Sequence, residues 1–234
     1  MQRLLKTFAL ALISFLLILQ VLLPPLVASG LKRVVINSFD LGENKAAVSV
    51  WSLPSVKLLG GYMDRLHVSL KGLSLDGIEA RSMLLETRGA RVDIENLTTR
   101  RELLFSGVGT GEITVEFEAD SVNAFFTRQY RGYIQSPEVV LGNNGVTLKG
   151  HVTYFGRKLP VALFGRVVPG TGMSIDFVPT GVEVLGMEVP PVVKDRLLQR
   201  ISVGFSFHGV PFQGRVAEVV VSEGLLVLKV RFES

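Results

Sequence analysis

Short segments of alternating polarity fill most of the chain, and this pattern restricts the fold more than any other feature of the sequence. Between Asp64 and Gly72, for example, Leu66, Val68 and Leu70 alternate with polar residues, which is typical of a β-strand with one buried face. About nine or ten such segments follow one another, and most are separated by turns rich in Gly, Pro or Asn. The sequence therefore predicts a largely antiparallel succession of strands.

Two segments have helical instead of alternating periodicity. The segment of residues 120–130 places Phe125 and Phe126 on one helical face. The segment of residues 190–202 begins with two prolines, which suit a first helical turn. A third, short helix is predicted over residues 53–61. We therefore expect an α+β, β-rich fold, in which one long, curled, mostly antiparallel sheet packs around two or three short amphipathic helices.

The N-terminal segment is apolar and carries no charge between Lys6 and Lys32. Basic residues precede it and Pro24-Pro25 is expected to interrupt it, which is the layout of a secretory signal. The apolar stretch of residues 7–23 also approaches the length of about 20 residues that crosses a bilayer. Residues 1–29 are therefore predicted to be either a signal peptide or an N-terminal membrane anchor.

Both alternatives lead to an exported protein. Residues 30–234 are expected to form a single β-rich domain, which is either anchored at the extracytoplasmic face of the cell membrane or secreted. The chain has no cysteine, so disulfides and thiolate chemistry are excluded. Residues 30–234 carry 23 Lys and Arg against 21 Asp and Glu, and this weak positive charge does not favour a nucleic-acid partner.

Motifs that would indicate catalysis are missing from the sequence. His67, His151 and His208 lack the spacing of a metal site, and they are interpreted as surface residues. The stretch GVGTG at residues 107–111 lacks the Lys-Ser/Thr of a phosphate-binding loop, and it is interpreted as a flexible turn. We therefore expect a protein that is not an enzyme and that needs no metal or cofactor.

One predicted strand, Leu159–Val168, is apolar on both faces, with Arg166 as an exception. Antiparallel strands in small proteins usually expose one face to water, so the second face needs a cover. Two interpretations follow from the periodicity. Either the amphipathic helices fill the space and the core is dry, or sheet and helices leave an apolar groove that a lipid completes.

The order of these segments resembles that of the LmeA-like phospholipid-binding family of bacterial envelope proteins, over roughly residues 50–232. The resemblance is carried by LPSVKLLGGYMDRLHVSLKGLSLDGIEARSMLLETRGARVDIENL, by EITVEFEADSVNAFFTRQY, by VVLGNNGVTLKGHV and by MSIDFVPTGVEVLGMEVPPVVKDRLLQRISVGFSF. It implies phospholipid binding and a role in maintaining the envelope. It also implies a fold related to tubular lipid-binding domains, in which a curled sheet wraps a helix around an apolar tunnel.

These considerations predict a protein that binds a phospholipid or another acyl lipid in an apolar groove, for envelope lipid transport or maintenance, and that contacts the membrane through residues 7–23. The residues expected to line the groove are Val122, Phe125, Phe126, Leu148, Val152, Leu163, Phe177, Leu197 and Ile201. The residues expected to meet a lipid headgroup are Arg128, Arg131, Arg157 and Lys158. The alternative is a non-enzymatic interaction or assembly module of the envelope with a dry core; the sequence does not identify a protein partner.

Overall fold

The structure is a computed structural model, and the described residues are 2–93, 96, 99, 105–129, 135–143, 145–154, 156–189, 203–206 and 214–233. The helix predicted over residues 190–202 lies outside them.

Two α-helices and two short 3-10 helices are described. Helix α1 spans Gln2–Ser38 and helix α2 spans Ala119–Gln129. In α2, an acidic residue in the first turn and a basic residue in the last turn both complement the helix dipole. The 3-10 helices span Glu43–Lys45 and Ser55–Gly60. The second confirms the short helix predicted before the glycine pair, and it ends where Gly61 adopts a left-handed conformation with φ of 78°.

The strands account for most of the remaining described chain. They are β1 Ala46–Trp51, β2 Tyr62–Leu75, β3 Ile78–Val92, β4 Phe105–Glu118, β5 Gln135–Gly142, β6 Gly145–Tyr154, β7 Arg157–Pro169, β8 Ser174–Val184, β9 Met187–Glu188, β10 Val203–Ser206, β11 Arg215–Ser222 and β12 Leu225–Glu233. The predicted α+β, β-rich class is confirmed.

The strands are distributed over two antiparallel sheets. One sheet has the order β1-β2-β3-β4-β12-β11, and the other has the order β10-β8-β7-β6-β5, with β9 paired to β8. Strands β2 and β3 are joined by Asp76-Gly77, where both residues have positive φ angles of 48° and 84°. These angles are those of a two-residue type I′ hairpin, as the Asp-Gly pair predicts.

The described contacts divide the chain into two compact units. The first unit consists of Met1–Leu70, Leu84–Glu112 and Phe232–Ser234, and the second consists of Lys71–Met83 and Ile113–Arg231. Strands β2, β3 and β4 each contribute residues to both units. The single-domain organisation of residues 30–234 stays a prediction.

In the first unit, the C-terminal half of α1 is part of the core. Leu23, Leu31, Val34 and Val35 are buried on one face of the helix, which packs against β1 and the 3-10 helix Ser55–Gly60. The helix continues through Pro24-Pro25, where the sequence predicted an interruption. The residues around the predicted cleavage region are therefore inside a helix that the first unit partly buries.

Gln20 joins α1 to the loop that follows β1. Its side-chain Nε2 donates to the carbonyl of Ser52 at 3.1 Å, and its Oε1 accepts the backbone N–H of Ser55 at 2.8 Å. The Ser55 hydroxyl donates to the backbone carbonyl of Gln20 at 3.1 Å. Ser52 and Ser55 are 0% and 1% exposed, so these hydrogen bonds fix one point of α1 to the first unit.

The N-terminal half of α1 has a different environment. Its large apolar side chains from Phe8 to Ile18 are exposed all around the helix. Residues Lys6–Ser38 form a helix that is long and apolar enough to cross a membrane, and its most apolar window is 0% buried. A signal sequence near the N-terminus satisfies the same criterion.

The glycine-rich stretch GVGTG does not form a flexible turn, so that interpretation was wrong. It lies inside β4, where the absence of side chains makes room for neighbours. A Cβ atom on Gly111 would lie 2.2 Å from the ring of Phe232 and 2.9 Å from the carbonyl oxygen of Glu86. The glycine is therefore required for close packing, which residue spacing alone does not reveal.

Candidate functional site

The strongest candidate site is one face of the sheet β10-β8-β7-β6-β5, in the second unit. Residues that pair directly across antiparallel strands place their side chains on the same face. Leu163 of β7 pairs with Leu148 of β6 and with Val182 of β8, and Val152 pairs with Leu159. The apolar residues of β5 to β8 therefore form one continuous surface, called the inner face below.

A β-bulge brings Phe177 to the inner face. Phe177 and Val182 differ by five positions, so a regular strand would place them on opposite faces. The pairing of β7 with β8 shifts between Phe164 and Gly165, and Phe177 consequently pairs with Val167 on the same side as Leu163. Four residues that the sequence assigned to the groove, Leu148, Val152, Leu163 and Phe177, thus lie on one face.

Helix α2 contacts both edges of this sheet. At the β5 edge, Asn123 Nδ2 donates to the carbonyl of Val139 at 2.8 Å, and Asn123 Oδ1 accepts the N–H of Val139. At the β10 edge, the ring of Phe125 lies 5.0 Å from the ring of Phe205 in an edge-to-face arrangement. Phe205 pairs with Ile175, which carries the inner face to β10.

These contacts require a curled sheet. In a flat sheet, four strand spacings would separate β5 from β10 by about 19 Å. A helix with its side chains is only about 10–12 Å wide, so it reaches both edges only if the sheet curves around it. The curled sheet around a short amphipathic helix is the arrangement that the sequence predicted for this part of the chain.

One end of the inner face is closed by β11. The N–H of Val216 donates to the carbonyl of Gly172 in the β7–β8 turn at 2.9 Å. The N–H of Gly224, just after β11, donates to the carbonyl of Leu141 near the β5–β6 turn at 3.1 Å. Inner-face side chains near this end are buried; they include Val139, Leu141, Val146 and Phe177. Protein therefore covers most of this end, although Val167 and Ile175 on the same face stay half-buried.

The other end, toward the β6–β7 hairpin, is less filled. The half-buried inner-face side chains in this part of the sheet are Leu148, Val152, Leu159, Val161, Leu163 and Val184. Arg157 and Lys158 are exposed at the start of β7, beside this end. The inner face is thus more deeply buried near β11 than near the β6–β7 hairpin, where two cations are exposed.

The predicted helix residues contribute in different ways. Val122 is buried, whereas Phe125 and Phe126 are half-buried, with their rings 6.1 Å apart. Arg128 donates to the carbonyl of Gly77 in the β2–β3 turn, so its guanidinium has a structural partner. The predicted residues Arg131, Leu197 and Ile201 lie outside the described residues.

Sequence reasoning missed Asn123 and Phe205. Asn123 gives no periodic signal, because its role is to bond the edge of a strand. Phe205 lies in the segment SVGFSF, whose alternation is a signal for a strand and could have suggested an inner-face position.

The second apolar set of β7 lies on the opposite side of the sheet from the inner face, which is called the outer face. Pro160 and Arg166 are exposed, whereas Ala162 and Phe164 are half-buried. Phe164 lies over Gly181, where an added Cβ would come within 3.4 Å of its ring. The outer face is therefore only partly covered, and the inner face is the one that packs against a helix.

The titratable side chains with shifted pKa values lie away from the inner face. Within the residues that the structure describes, no group of three or more His, Cys, Asp or Glu side chains could hold a metal ion. The N–H of Leu53 holds the pKa of Asp64 below its ordinary value, and a hydrogen bond from Lys229 lowers the pKa of Glu218. Neither carboxylate is on the inner face.

Comparison with known proteins gives one match. A family model described as LmeA-like phospholipid-binding matches residues 21–231, which is nearly the whole chain. No curated protein and no solved structure matches the chain.

Proposed function

Since the chain belongs to the LmeA-like phospholipid-binding family, we propose that its groove binds one or more acyl chains of a phospholipid or a similar lipid. The protein acts without catalysis, in transport or maintenance of envelope lipids. It is exported, and α1 retains it at the extracytoplasmic face of the membrane.

The observation that carries this proposal is the half-buried apolar surface of the inner face. Leu159, Val161 and Val184 are in the interior of a curled sheet, yet part of each side chain is left uncovered. Removing a methylene group from water contributes about 0.8 kcal/mol, so eight buried methylenes of an acyl chain would contribute about 6 kcal/mol. Burial of an acyl chain could therefore supply much of the binding free energy of such a ligand.

The charges at the open end support a lipid with an anionic headgroup. Arg157 can donate two parallel hydrogen bonds to a phosphate, and Lys158 adds a second positive charge. A phosphate at this end would leave the acyl chains directed toward the closed end. The predicted headgroup roles of Arg157 and Lys158 therefore remain part of the proposal, whereas the described contact of Arg128 is to Gly77.

Retention of α1 is supported by its two halves. The first half exposes apolar side chains that no described part of the protein covers, and one face of the second half is buried in the first unit. The family match begins at residue 21, before the predicted cleavage region. These observations favour the anchor over the signal peptide.

The test is photo-crosslinking of the full chain with a phospholipid that carries a diazirine in its acyl chain. We expect labelled peptides from β6 to β8, and their labelling should fall strongly in Leu163→Asn. Phe164→Asn is the matched control, because Phe164 is the next residue on the same strand but lies on the outer face. Labelling confined to α1 in a folded protein would contradict the groove and favour a dry core with an assembly role.

A further inference from the structure

A cluster of exposed apolar side chains follows β1 and does not belong to the groove. Five large side chains between residues 51 and 62 are from 46% to 61% exposed: Trp51, Leu53, Val56, Leu59 and Tyr62. All five lie in the first unit, around the 3-10 helix Ser55–Gly60. This cluster is called the collar.

The collar is fixed to α1 at a defined level. The three hydrogen bonds between Gln20 and the Ser52–Ser55 segment lie inside the same loop that carries Leu53 and Val56. The collar therefore lies beside α1 at the level of Gln20.

The length of the apolar helix places that level in the membrane. Exposed apolar side chains continue past Gln20 to Leu26, which is 65% exposed. From Lys6 to Leu26 the helix rises about 30 Å, which equals the hydrocarbon thickness of a typical bilayer, whereas from Lys6 to Gln20 it rises only about 21 Å. Covering the exposed apolar side chains up to Leu26 brings Gln20, about 9 Å lower along the axis, below the membrane surface.

The composition of the collar matches this position. Trp and Tyr are enriched where hydrocarbon meets the headgroups. The guanidinium of Arg65 lies 5.6 Å from the ring centre of Trp51, and that of Arg91 lies 4.5 Å from the ring centre of Tyr62. Each pair combines an apolar ring with a cation that can donate to lipid phosphates. The carboxylate of Asp64 accepts a hydrogen bond from the N–H of Leu53 at 2.8 Å and lies 3.3 Å from Lys57 Nζ. The positive charge of Lys57 offsets the repulsion between Asp64 and a lipid phosphate.

From these observations we infer that the collar is a second membrane contact, inserted into the outer part of the leaflet that α1 crosses before it enters the core of the first unit. The inference rests on the proposed anchoring by α1 and adds to it a fixed orientation. The first unit is held against the bilayer by its own side chains, instead of being tethered at a distance.

Trp51 is the single tryptophan of the chain, so its fluorescence reports on the collar directly. We would reconstitute the full chain in phosphatidylcholine–phosphatidylglycerol vesicles, with or without acyl chains brominated near the headgroup. Brominated lipid is expected to reduce the Trp51 emission about two-fold, as for an interfacial tryptophan, and acrylamide should quench it weakly.

The same preparation separates failure of the collar from failure of the anchor. Protein that floats with the vesicles but keeps its emission in brominated lipid, and is quenched fully by acrylamide, would overturn the collar and leave the anchor intact. Protein that does not float would overturn the anchor and the collar together.

A paired substitution gives an independent test. The double variant Leu53→Asp/Leu59→Asp is expected to lose most of the quenching by brominated lipid while it still floats. The matched control is Val178→Asp/Leu185→Asp, which changes two exposed apolar residues outside the collar and should keep the quenching of the parent protein. Unchanged quenching in the collar variant would overturn the inference.

Discussion

The hydroxyl of Ser55 donates to the backbone carbonyl of Gln20, and this carbonyl is the one that Pro24 leaves without a helical donor. In an α-helix, the N–H of residue 24 would bond the carbonyl of residue 20, but proline has no N–H. A hydroxyl from another part of the first unit thus replaces the missing donor. This replacement compensates for the hydrogen bond that the helix loses at Pro24.

Replacing Ser55 by alanine should therefore destabilise the protein. The variant leaves the part-buried Gln20 carbonyl without this donor, and an unsatisfied buried carbonyl costs up to about 1–3 kcal/mol. Ser29→Ala is the matched control, because the Ser29 hydroxyl bonds a carbonyl of its own helix at an exposed position. Thermal unfolding of both variants measures the difference, and equal stabilities would show that the Ser55 hydroxyl is not needed.

The mature protein is expected to keep its N-terminal helix. Cleavage near residues 28–30 would separate buried Leu23 from buried Leu31 and would remove the hydrogen bonds of Gln20. The mass of the intact protein from native membranes should include residues before 29. A mature chain that begins near residue 30 would show that residues 1–29 are a signal peptide.

Gly111→Ala should be destabilising although glycine lies in the interior of a strand. The added methyl group would clash with the buried ring of Phe232, and overpacking of this kind costs about 1–3 kcal/mol. Gly107→Ala on the same strand is the control, since its added Cβ would have no neighbour within 4 Å. Denaturant unfolding should give a lower free energy of unfolding for Gly111→Ala than for Gly107→Ala. If the stretch were a flexible turn, both substitutions would lower this free energy by similar small amounts.

The contact of Phe125 with Phe205 should appear as an energetic coupling. A double-mutant cycle with Phe125→Ala and Phe205→Ala is expected to give about 0.5–1.5 kcal/mol, as measured for edge-to-face aromatic pairs. The cycle of Phe125→Ala with Phe164→Ala serves as the control, because Phe164 lies on the outer face and the two effects should add within about 0.5 kcal/mol. Additive effects in the first cycle would mean that α2 does not contact β10.

The stability of the collar loop should depend on the charge of Asp64. The folded protein holds the pKa of Asp64 below its ordinary value of 3.8, chiefly through the N–H of Leu53. A lowered pKa stabilises the folded state above pH 3.8, and this contribution is lost as the pH falls through the folded pKa. Asp64→Asn should therefore speed hydrogen exchange of the Leu53 amide at neutral pH, and the difference from the parent protein should narrow in acid. A difference that does not change with pH would contradict this role.

The sequence predicted local structure well where one periodicity governs a segment. Alternation located most of the strands, and helical spacing located α2 and its two phenylalanines. The same parity argument fails at the bulge in β8, because one extra residue moves Phe177 to the face of Leu163. That shift depends on pairing with β7, which no single segment contains.

Long-range contacts explain the other differences. The donor that compensates for Pro24 comes from Ser55, and the need for glycine at position 111 comes from the ring of Phe232. The sequence could not decide between a groove and a dry core, since periodicity shows which side chains share a face but not how completely a helix fills the space.

The hydrogen bonds of Asn123 also determine what the edge of β5 can do. A side-chain amide has the same donor and acceptor as a peptide group, and Asn123 uses both on Val139 as the next strand of a sheet would. A strand from a second molecule would have to displace α2 before it could add at this position. Asn123 thus occupies the backbone groups through which the β5 edge could pair with a strand of another molecule, and it attaches α2 to that edge.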